Sequence, residues 1–137
     1  MKYRTILCED NLYVRNVFIF ILEERGHEVF SYENPAECPL SFLTECKCNG
    51  MNQCSDIIIS DVSMPFINGL DFIETLREKG CKNDNIALIS GFWTTKDISR
   101  AKKIGCTVFH KPIHPQELNV WLENCEKKIE PQKDFPE

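Results

Sequence analysis

Five short apolar runs, separated by segments of helical spacing, constrain the fold of this chain more than any other feature. Three of the runs are nearly continuous in Ile, Leu and Val, which is typical of strands buried on both faces of a parallel sheet. The sequence therefore predicts a central parallel β-sheet. Its strands are expected at residues 5–8, 28–32, 56–60, 86–90 and 106–109.

The segments between the runs indicate the helices that cover this sheet. The clearest predicted helix spans residues 11–25, where the apolar side chains form one buried stripe and Gly26 follows the end. A segment after Pro35 starts like a helix and passes into a cysteine-rich stretch. The alternation of strand and helix, repeated five times, predicts a doubly wound α/β fold with right-handed crossovers. The remaining helices are expected over 70–79, 95–104 and 115–128.

Length and charge narrow the class of protein. The chain has 137 residues, and we expect one domain over residues 1–129 with a frayed tail over 130–137. A net charge of −5 with scattered basic residues argues against a nucleic-acid partner. The apolar segments are shorter than the roughly 20 residues that cross a bilayer, and the N-terminus lacks the pattern of a signal peptide. We therefore expect a cytoplasmic protein with no membrane partner.

Polar side chains follow four of the predicted strands, at the sheet edge where ligands bind in open parallel sheets. Three carboxylates in one crevice repel each other unless a cation neutralises them, and Mg²⁺ is the hard ion that oxygen ligands favour. A carboxylate beside such an ion can accept a phosphoryl group, whose oxygens a lysine and a hydroxyl can contact. The set predicts a phosphoryl-transfer site, although each residue alone is also typical of a helix cap, a strand end or a surface charge. The candidates are Glu9, Asp10, Asp61, Ser90 and Lys111.

The order and spacing of these motifs resemble those of response-regulator receiver domains over nearly the full chain. The resemblance rests on Glu9-Asp10, the stretch DVSMPFING from Asp61 to Gly69, Ser90-Gly91 and Lys111-Pro112. It implies a flavodoxin-like (βα)5 fold with strand order 2-1-3-4-5. It also implies that Asp61 is phosphorylated by a sensor histidine kinase or a phosphotransfer protein. By the same resemblance, the Lys111-Pro112 peptide bond would be cis, and Mg²⁺ or Mn²⁺ would be bound by Glu9, Asp10, Asp61 and the backbone carbonyl of Ser63.

The predicted strand before Lys111 departs from the family pattern. Receiver domains often carry an aromatic residue three positions before this lysine, which turns inward when the Ser or Thr engages the phosphoryl group. Here that position is Val108 and the neighbouring aromatic is Phe109, and the run that starts at Gly105 is one residue shorter than usual. Both Val108 and Phe109 therefore stay candidates for the switch, and phosphorylation could act on the helix over 95–104 through a different packing change.

A cysteine-rich insertion lies between the second and third predicted strands, over about residues 38–54. Four thiolates can close a tetrahedral Zn²⁺ site, but the spacing lacks the C-x2-C pairs that mark such sites. A bound metal, an Fe–S or redox role and unliganded thiols all stay open. The candidate ligands are Cys38, Cys46, Cys48 and Cys54, and the other four cysteines, Cys8, Cys81, Cys106 and Cys125, are interpreted as small buried side chains.

The leading interpretation is a phosphoacceptor signalling module rather than an enzyme, monomeric or weakly dimeric. The surface formed by residues 95–104, the fifth strand and residues 115–128 would bind a downstream protein partner, with Phe92, Trp93 and Trp121 nearby. Because the given chain ends just after the last predicted helix, we expect no output domain of its own.

Two alternatives come from other classes of protein. The first is a metal-binding or redox-sensing module built on a receiver scaffold. The second is an aspartyl phosphatase, and it lacks a general acid, because Ser63 stands where those enzymes carry a second Asp.

Overall fold

The computed structural model describes residues 3–46, 48, 54–64 and 67–130. Within these residues, five parallel strands form one sheet in the order β2-β1-β3-β4-β5. The predicted doubly wound sheet and its strand order are confirmed, and every predicted strand lies within two residues of the observed one at each end. The strands are β1 (Tyr3–Cys8), β2 (His27–Tyr32), β3 (Ile57–Asp61), β4 (Ile86–Ser90) and β5 (Thr107–His110).

Four α-helices pack on the two faces of this sheet in the described part of the chain. Each begins at a residue whose side chain accepts a hydrogen bond from a backbone N–H of the first turn, which satisfies a donor that has no partner inside the helix. The four capping residues are Asn11, Asn68, Thr94 and His114. The helices are α1 (Leu12–Glu24), α2 (Gly69–Glu78), α3 (Thr95–Lys103) and α4 (Pro115–Ile129).

The segment after β2 holds two short 3₁₀ helices, Pro35–Glu37 and Pro39–Phe42, where the (βα)5 pattern predicts a full helix. Cys38 separates them in an extended conformation, with φ −74° and ψ 130°. A proline disfavours the helical region for the residue before it, so Pro39 prevents the first turn from continuing through Cys38. The cysteine-rich insertion therefore begins between two short 3₁₀ helices rather than after a full helix.

The side chains of each strand alternate between two core clusters, one on each face of the sheet. Ile58 and Leu88 point to the face covered by α2, α3 and the 3₁₀ segment. Ile57 and Ile59 point to the face covered by α1 and α4. Since β3 and β4 are buried at every position, the centre of the sheet is rigidly packed, and this packing fixes the residues at its carboxyl edge.

No helix in the described ranges combines the length and the apolar composition that a membrane crossing requires.

Candidate functional site

Asp61 is the last residue of β3, and its side chain lies at the carboxyl edge of the sheet with only 4% of the residue exposed. The chain leaves the strand through a turn held by two backbone bonds. The amide of Val62 donates to the carbonyl of Ile89 at 2.9 Å, and the amide of Gly69 donates to the carbonyl of Val62 at 2.9 Å. These bonds hold both the strand end and the start of α2 beside Asp61.

Three carboxylates meet at this edge, as the sequence predicts. The oxygens of Glu9, Asp10 and Asp61 lie within 4.8 Å of one another. Glu9 is 1% exposed and accepts a hydrogen bond from the amide of Asn11 at 3.1 Å, whereas Asp10 is exposed. Lys111 extends from the end of β5 into the same crevice, and its Nζ lies 2.8 Å from Asp61 Oδ2 and 3.2 Å from Glu9 Oε1.

The electrostatics of this edge favour a cation. Burial raises the pKa of Glu9 to about 7, and the Asp61 carboxylate acts in the same direction, while the Asn11 amide and Lys111 oppose it. Burial acts to lower the pKa of Lys111, but its bond to Asp61 and the charges of Asp61 and Glu9 raise it. A single ammonium group cannot neutralise three carboxylates, so these residues fit a divalent ion with oxygen ligands. Ser63 lies in the exposed turn after β3, and its carbonyl as a metal ligand stays a prediction.

Gly69 is required at the start of α2 because the backbone of Asp61 passes directly against it. A Cβ atom at this position would lie 2.0 Å from the carbonyl oxygen of Asp61 and 2.8 Å from Ser60 Oγ. Any side chain would therefore displace the strand end that carries Asp61. The glycine of the DVSMPFING stretch thus brings helix and strand together at the acidic cluster.

Ser90 ends β4 at the same edge, and its hydroxyl group is already bonded within its own loop. Oγ donates to the carbonyl of Phe92 at 2.9 Å and accepts from the Phe92 amide at 3.1 Å. The hydroxyl would have to release the Phe92 carbonyl before it could donate to another oxygen. The loop from Ser90 to α3 is therefore coupled to the hydrogen bond that Ser90 makes.

Val108 and Phe109 face opposite sides of the sheet. Val108 is half-buried against the α2 and α3 side, while Phe109 is buried on the α1 and α4 side and makes an edge contact with Trp121 at 5.8 Å between ring centres. Trp93 is half-buried on the Val108 side, and its Nε1 donates to the Phe109 carbonyl at 2.8 Å. An aromatic residue from the β4–α3 loop, rather than one from β5, thus links that loop to β5.

The aromatic residues expected near the partner-binding surface differ in exposure. Phe92 is 79% exposed, whereas Trp93 is anchored on β5 and Trp121 donates from Nε1 to Thr107 Oγ1 at 3.2 Å. The two tryptophans thus bond within the fold, and Phe92 alone of the three is an exposed aromatic.

The peptide bond between Lys111 and Pro112 is cis, as the family resemblance implies. The amide of Lys111 donates to the carbonyl of Ser90 at 2.9 Å, which continues the β4–β5 pairing by one residue.

The cysteine cluster lies at the opposite, amino-terminal edge of the sheet, and its composition corrects the sequence prediction. Cys46, Cys48 and Cys54 come together as predicted, but the fourth member is Cys81, not Cys38. Cys81 follows α2 and precedes β4. It is buried in the core, as predicted, and its sulfur atom also lies beside those of the other three cysteines, which the sequence did not predict. Sequence spacing gave no signal for it, because the loops before β3 and β4 become neighbours only once the sheet forms.

Cys38 instead lies away from these four sulfur atoms, fully buried on the core side of the 3₁₀ segment. It faces the end of β1, where its proximity adds to the burial that raises the pKa of Cys8. Cys38 therefore packs as a small apolar residue.

Cys54 and Cys81 share a hydrogen bond that shifts the pKa values of the two thiols in opposite directions. A hydrogen bond from Cys54, together with bonds from the Asn83 amide, Cys48 and Cys46, lowers the pKa of Cys81 to about 5 against the effect of burial. The same bond to Cys81 and burial raise the pKa of Cys54. Cys81 is thus expected to deprotonate before its hydrogen-bond partner Cys54.

Comparison with known sequences identifies the family. The sequence model of the response regulator receiver domain matches residues 5–123. The chain is 31% identical over 124 residues to the aerobic respiration control protein ArcA of Escherichia coli, covering 87% of this chain and 46% of ArcA. It is 34% identical over 79 residues to a probable transcriptional regulatory protein of Picosynechococcus, covering 58% of this chain and 31% of that protein. The chain thus spans less than half the length of these curated relatives.

Solved structures share the fold. The N-terminal domain of an uncharacterized protein from Wolinella succinogenes superposes with a TM-score of 0.79 at 26% identity, covering 96% of this chain and 99% of that domain. The chemotaxis protein CheY4 of Vibrio cholerae superposes with a TM-score of 0.73 at 23% identity, covering 91% of this chain and 99% of CheY4.

A doubly wound sheet with an acidic cluster and a lysine at its carboxyl edge defines a class of signalling modules. The chain belongs to the response regulator receiver domain family of two-component systems.

Proposed function

We propose that this chain is a phosphoacceptor module that is phosphorylated on Asp61 by a sensor histidine kinase or a phosphotransfer protein. One observation carries the proposal: Asp61 lies at a strand end where Lys111 contacts it at 2.8 Å and two further carboxylates lie within 4.8 Å. Glu9, Asp10, Asp61 and the Ser63 carbonyl would hold Mg²⁺ or Mn²⁺. The protein would act in the cytoplasm, where such kinases present their phosphohistidine.

The chemistry follows from the placement of these side chains. An Asp61 carboxylate oxygen attacks the phosphorus atom, a new P–O bond forms, and the bond from phosphorus to the donor nitrogen breaks with its electron pair staying on the donor. Lys111, already beside Asp61, places its positive charge against the transferred phosphoryl oxygens. A bound divalent cation supplies charge neutralisation for the same oxygens.

Ser90 would transmit the change in charge at a phosphorylated Asp61 to the surface of the domain. Once a phosphoryl group is on Asp61, the Ser90 hydroxyl has a charged acceptor that competes with the Phe92 carbonyl, and hydrogen bonds to charged groups are about twice as strong as neutral ones. Loss of the Ser90–Phe92 bond frees the loop that carries Trp93 and leads into α3. The surface formed by α3, β5 and α4 is therefore the one that changes for a downstream partner.

The phosphodonor must cover the carboxyl edge, and the surface beside this edge is apolar. Tyr13 and Val17 of α1 are 81% and 55% exposed. They line a groove that continues past Lys111 to Pro115 at the start of α4. A helical partner that buries these side chains would bring its phosphohistidine next to Asp61, because Lys111 belongs both to the groove and to the acidic cluster.

Incubation of the full chain with acetyl phosphate and Mg²⁺, followed by intact mass measurement, tests the proposal. Wild type should gain one phosphoryl group, and Asp61→Asn should gain none. Asp84→Asn, which changes an exposed aspartate in the loop before β4, is the matched control and should behave as wild type. Absence of phosphate on wild type, or equal labelling of Asp61→Asn, would refute the assignment.

A second function, metal binding on the receiver scaffold, is favoured by the cluster of Cys46, Cys48, Cys54 and Cys81. It does not compete with the first, because the two sites lie at opposite edges of the sheet.

A further inference from the structure

The four-cysteine cluster at the amino-terminal edge of the sheet has the form of a closed metal site. Each of its sulfur atoms lies within 4.8 Å of the other three. Cys46, Cys48 and Cys81 are buried, and Cys54 is half-buried. We propose that Cys46, Cys48, Cys54 and Cys81 bind one Zn²⁺ ion as a structural four-thiolate centre.

Two distances between sulfur atoms, those from Cys81 to Cys48 and to Cys54, match a tetrahedral zinc site. Four sulfurs at about 2.3 Å from zinc are about 3.8 Å from one another. The Sγ atoms of Cys48 and Cys81 are 3.9 Å apart, and those of Cys54 and Cys81 are 3.8 Å apart. Cys46 and Cys48 are closer, at 3.2 Å, so zinc would spread this pair by a few tenths of an ångström. The C-x-C spacing is therefore compatible with two ligands on one ion.

Backbone contacts hold these residues in place independently of any bond between the sulfur atoms. The amide of Cys46 donates to the carbonyl of Lys79 at 2.7 Å, which fixes the insertion to the end of α2. The amide of Cys81 donates to Leu76 in the last turn of the same helix at 3.0 Å. The amide of Cys54 points at Cys48 Sγ at 3.4 Å, a contact that strengthens when the sulfur is a metal-bound thiolate.

The arrangement favours a metal over paired disulfides. All eight cysteines are free thiols. Two disulfides would require two separate close pairs, whereas the Cys81 sulfur lies at nearly equal distances from those of Cys48 and Cys54, 3.9 Å and 3.8 Å. A cluster in which every sulfur approaches the other three is instead what a single tetrahedral ion needs. Thiolates are soft ligands that select zinc or iron rather than Mg²⁺.

The position of the site indicates a structural role. Cys54 and Cys81 precede β3 and β4, whereas Asp61 ends β3, so the two sites are separated by about the length of a five-residue strand, roughly 17 Å. Four protein ligands leave no open position on zinc for a substrate. The ion would join the insertion after the 3₁₀ helices to the end of α2 and the loop before β4.

Metal analysis of the full chain, purified without chelator, tests this assignment independently of phosphorylation. Zinc per chain should be near one for wild type and should be lost in Cys81→Ser and Cys54→Ser. Cys38→Ala is the matched control, because Cys38 is a buried cysteine near the same insertion that lies outside the cluster, and it should retain zinc. Circular dichroism checks that each variant is folded.

Cobalt titration of the metal-free wild-type protein provides a readout that needs no variant to fold. Co²⁺ should give the intense visible bands of a tetrahedral four-thiolate complex, and equimolar Zn²⁺ should remove them. The proposal is overturned by metal-free protein that gives only the weak spectrum of octahedral cobalt, by zinc loss in Cys38→Ala but not in Cys81→Ser, or by bound iron with inorganic sulfide in place of zinc.

Discussion

Lys111 donates from Nζ to Oδ2 of Asp61 across 2.8 Å, at the point where β5 and β3 end at the same edge of the sheet. The same ammonium group lies 3.2 Å from Glu9 Oε1. Lys111 therefore stabilises two buried carboxylates, and its charge occupies the region where a cation would bind.

Removal of this ammonium group should strengthen Mg²⁺ binding. Lys111→Met leaves the carboxylates with no compensating charge, so we expect affinity for Mg²⁺ to rise about tenfold, equivalent to about 1.4 kcal/mol. The same variant should be phosphorylated more slowly, since the phosphoryl oxygens lose a positive partner. Isothermal titration calorimetry measures the affinity. Lys127→Met, which removes a well-exposed lysine of α4, is the control, and weaker Mg²⁺ binding by Lys111→Met than by this control would contradict the account.

Gly69 should not tolerate even the smallest side chain. The added methyl of Gly69→Ala would meet the Asp61 carbonyl at 2.0 Å, and steric overlap of this kind costs about 1–3 kcal/mol or more. We expect a lower midpoint of urea unfolding and loss of phosphorylation. Gly91→Ala is the matched control at the same edge, because its Cβ would meet Lys111 Cβ at an ordinary 3.9 Å. Equal tolerance of both substitutions would show that the close approach does not constrain the site.

Trp93 should report phosphorylation through its fluorescence. Its indole links the loop after Ser90 to the Phe109 carbonyl, and this loop is expected to move when Ser90 releases Phe92. The chain has two tryptophans. Trp121→Phe leaves Trp93 as the only reporter, and its emission should change when acetyl phosphate and Mg²⁺ are added. The reciprocal variant, Trp93→Phe, should show little change, and a signal that follows Trp121 instead would place the movement elsewhere.

The buried His27 should make folding stability depend on pH. Its Nδ1 lies 2.7 Å from Thr5 Oγ1 and its Nε2 lies 2.7 Å from Glu126 Oε2, which also binds Arg25. Burial lowers the pKa of His27 below the ordinary value of 6.5, although Glu126 acts to raise it. His27 is therefore protonated at a higher pH in the unfolded chain than in the folded one. The contribution of the neutral, buried imidazole to the free energy of unfolding is full above pH 6.5 and falls as the pH drops below this value.

Thermal unfolding at several pH values checks that protonation of His27 lowers the stability of the fold. The melting temperature of wild type should fall between pH 7 and pH 5, and His27→Gln should reduce that slope. The exposed His110 provides the control, since His110→Gln should keep the wild-type slope. A steeper fall for His27→Gln than for wild type would reverse the assignment. Glu126 affects stability at lower pH. Burial acts to raise the pKa of this carboxyl, but Arg25 and His27 lower it below the ordinary value of 4.5. The contribution of Glu126 to the free energy of unfolding is therefore lost only below pH 4.5.

The grouping of side chains at the carboxyl edge of the sheet could be predicted, because it depends on strand ends alone. Asp61, Ser90 and Lys111 each follow an apolar run, and parallel strands bring such residues to one edge. Cys81 could not be assigned in this way. The contact between Cys81 and Cys46 depends on how the insertion packs against the end of α2. The sequence has no periodic pattern from which this packing could be predicted.

The hydrogen bond from Trp93 to β5 could not be predicted for a related reason. The sequence shows that Val108 stands where receiver domains often carry an aromatic residue. It does not show that Trp93, from the loop before α3, contacts the carbonyl of the neighbouring Phe109. The two 3₁₀ helices could be predicted only in part. Pro35 indicates the start of a helix, whereas the break at Pro39 depends on the conformation of Cys38.

The position of the phosphoryl group tests the central claim most directly. Borohydride reduces an aspartyl phosphate to homoserine, and tandem mass spectrometry of the digested protein then locates the reduced residue. After treatment with acetyl phosphate and Mg²⁺, we expect homoserine at position 61 and unmodified aspartate at position 10. Homoserine at Asp10, or at neither position in protein that has gained phosphate, would contradict the assignment of Asp61 as the phosphoacceptor.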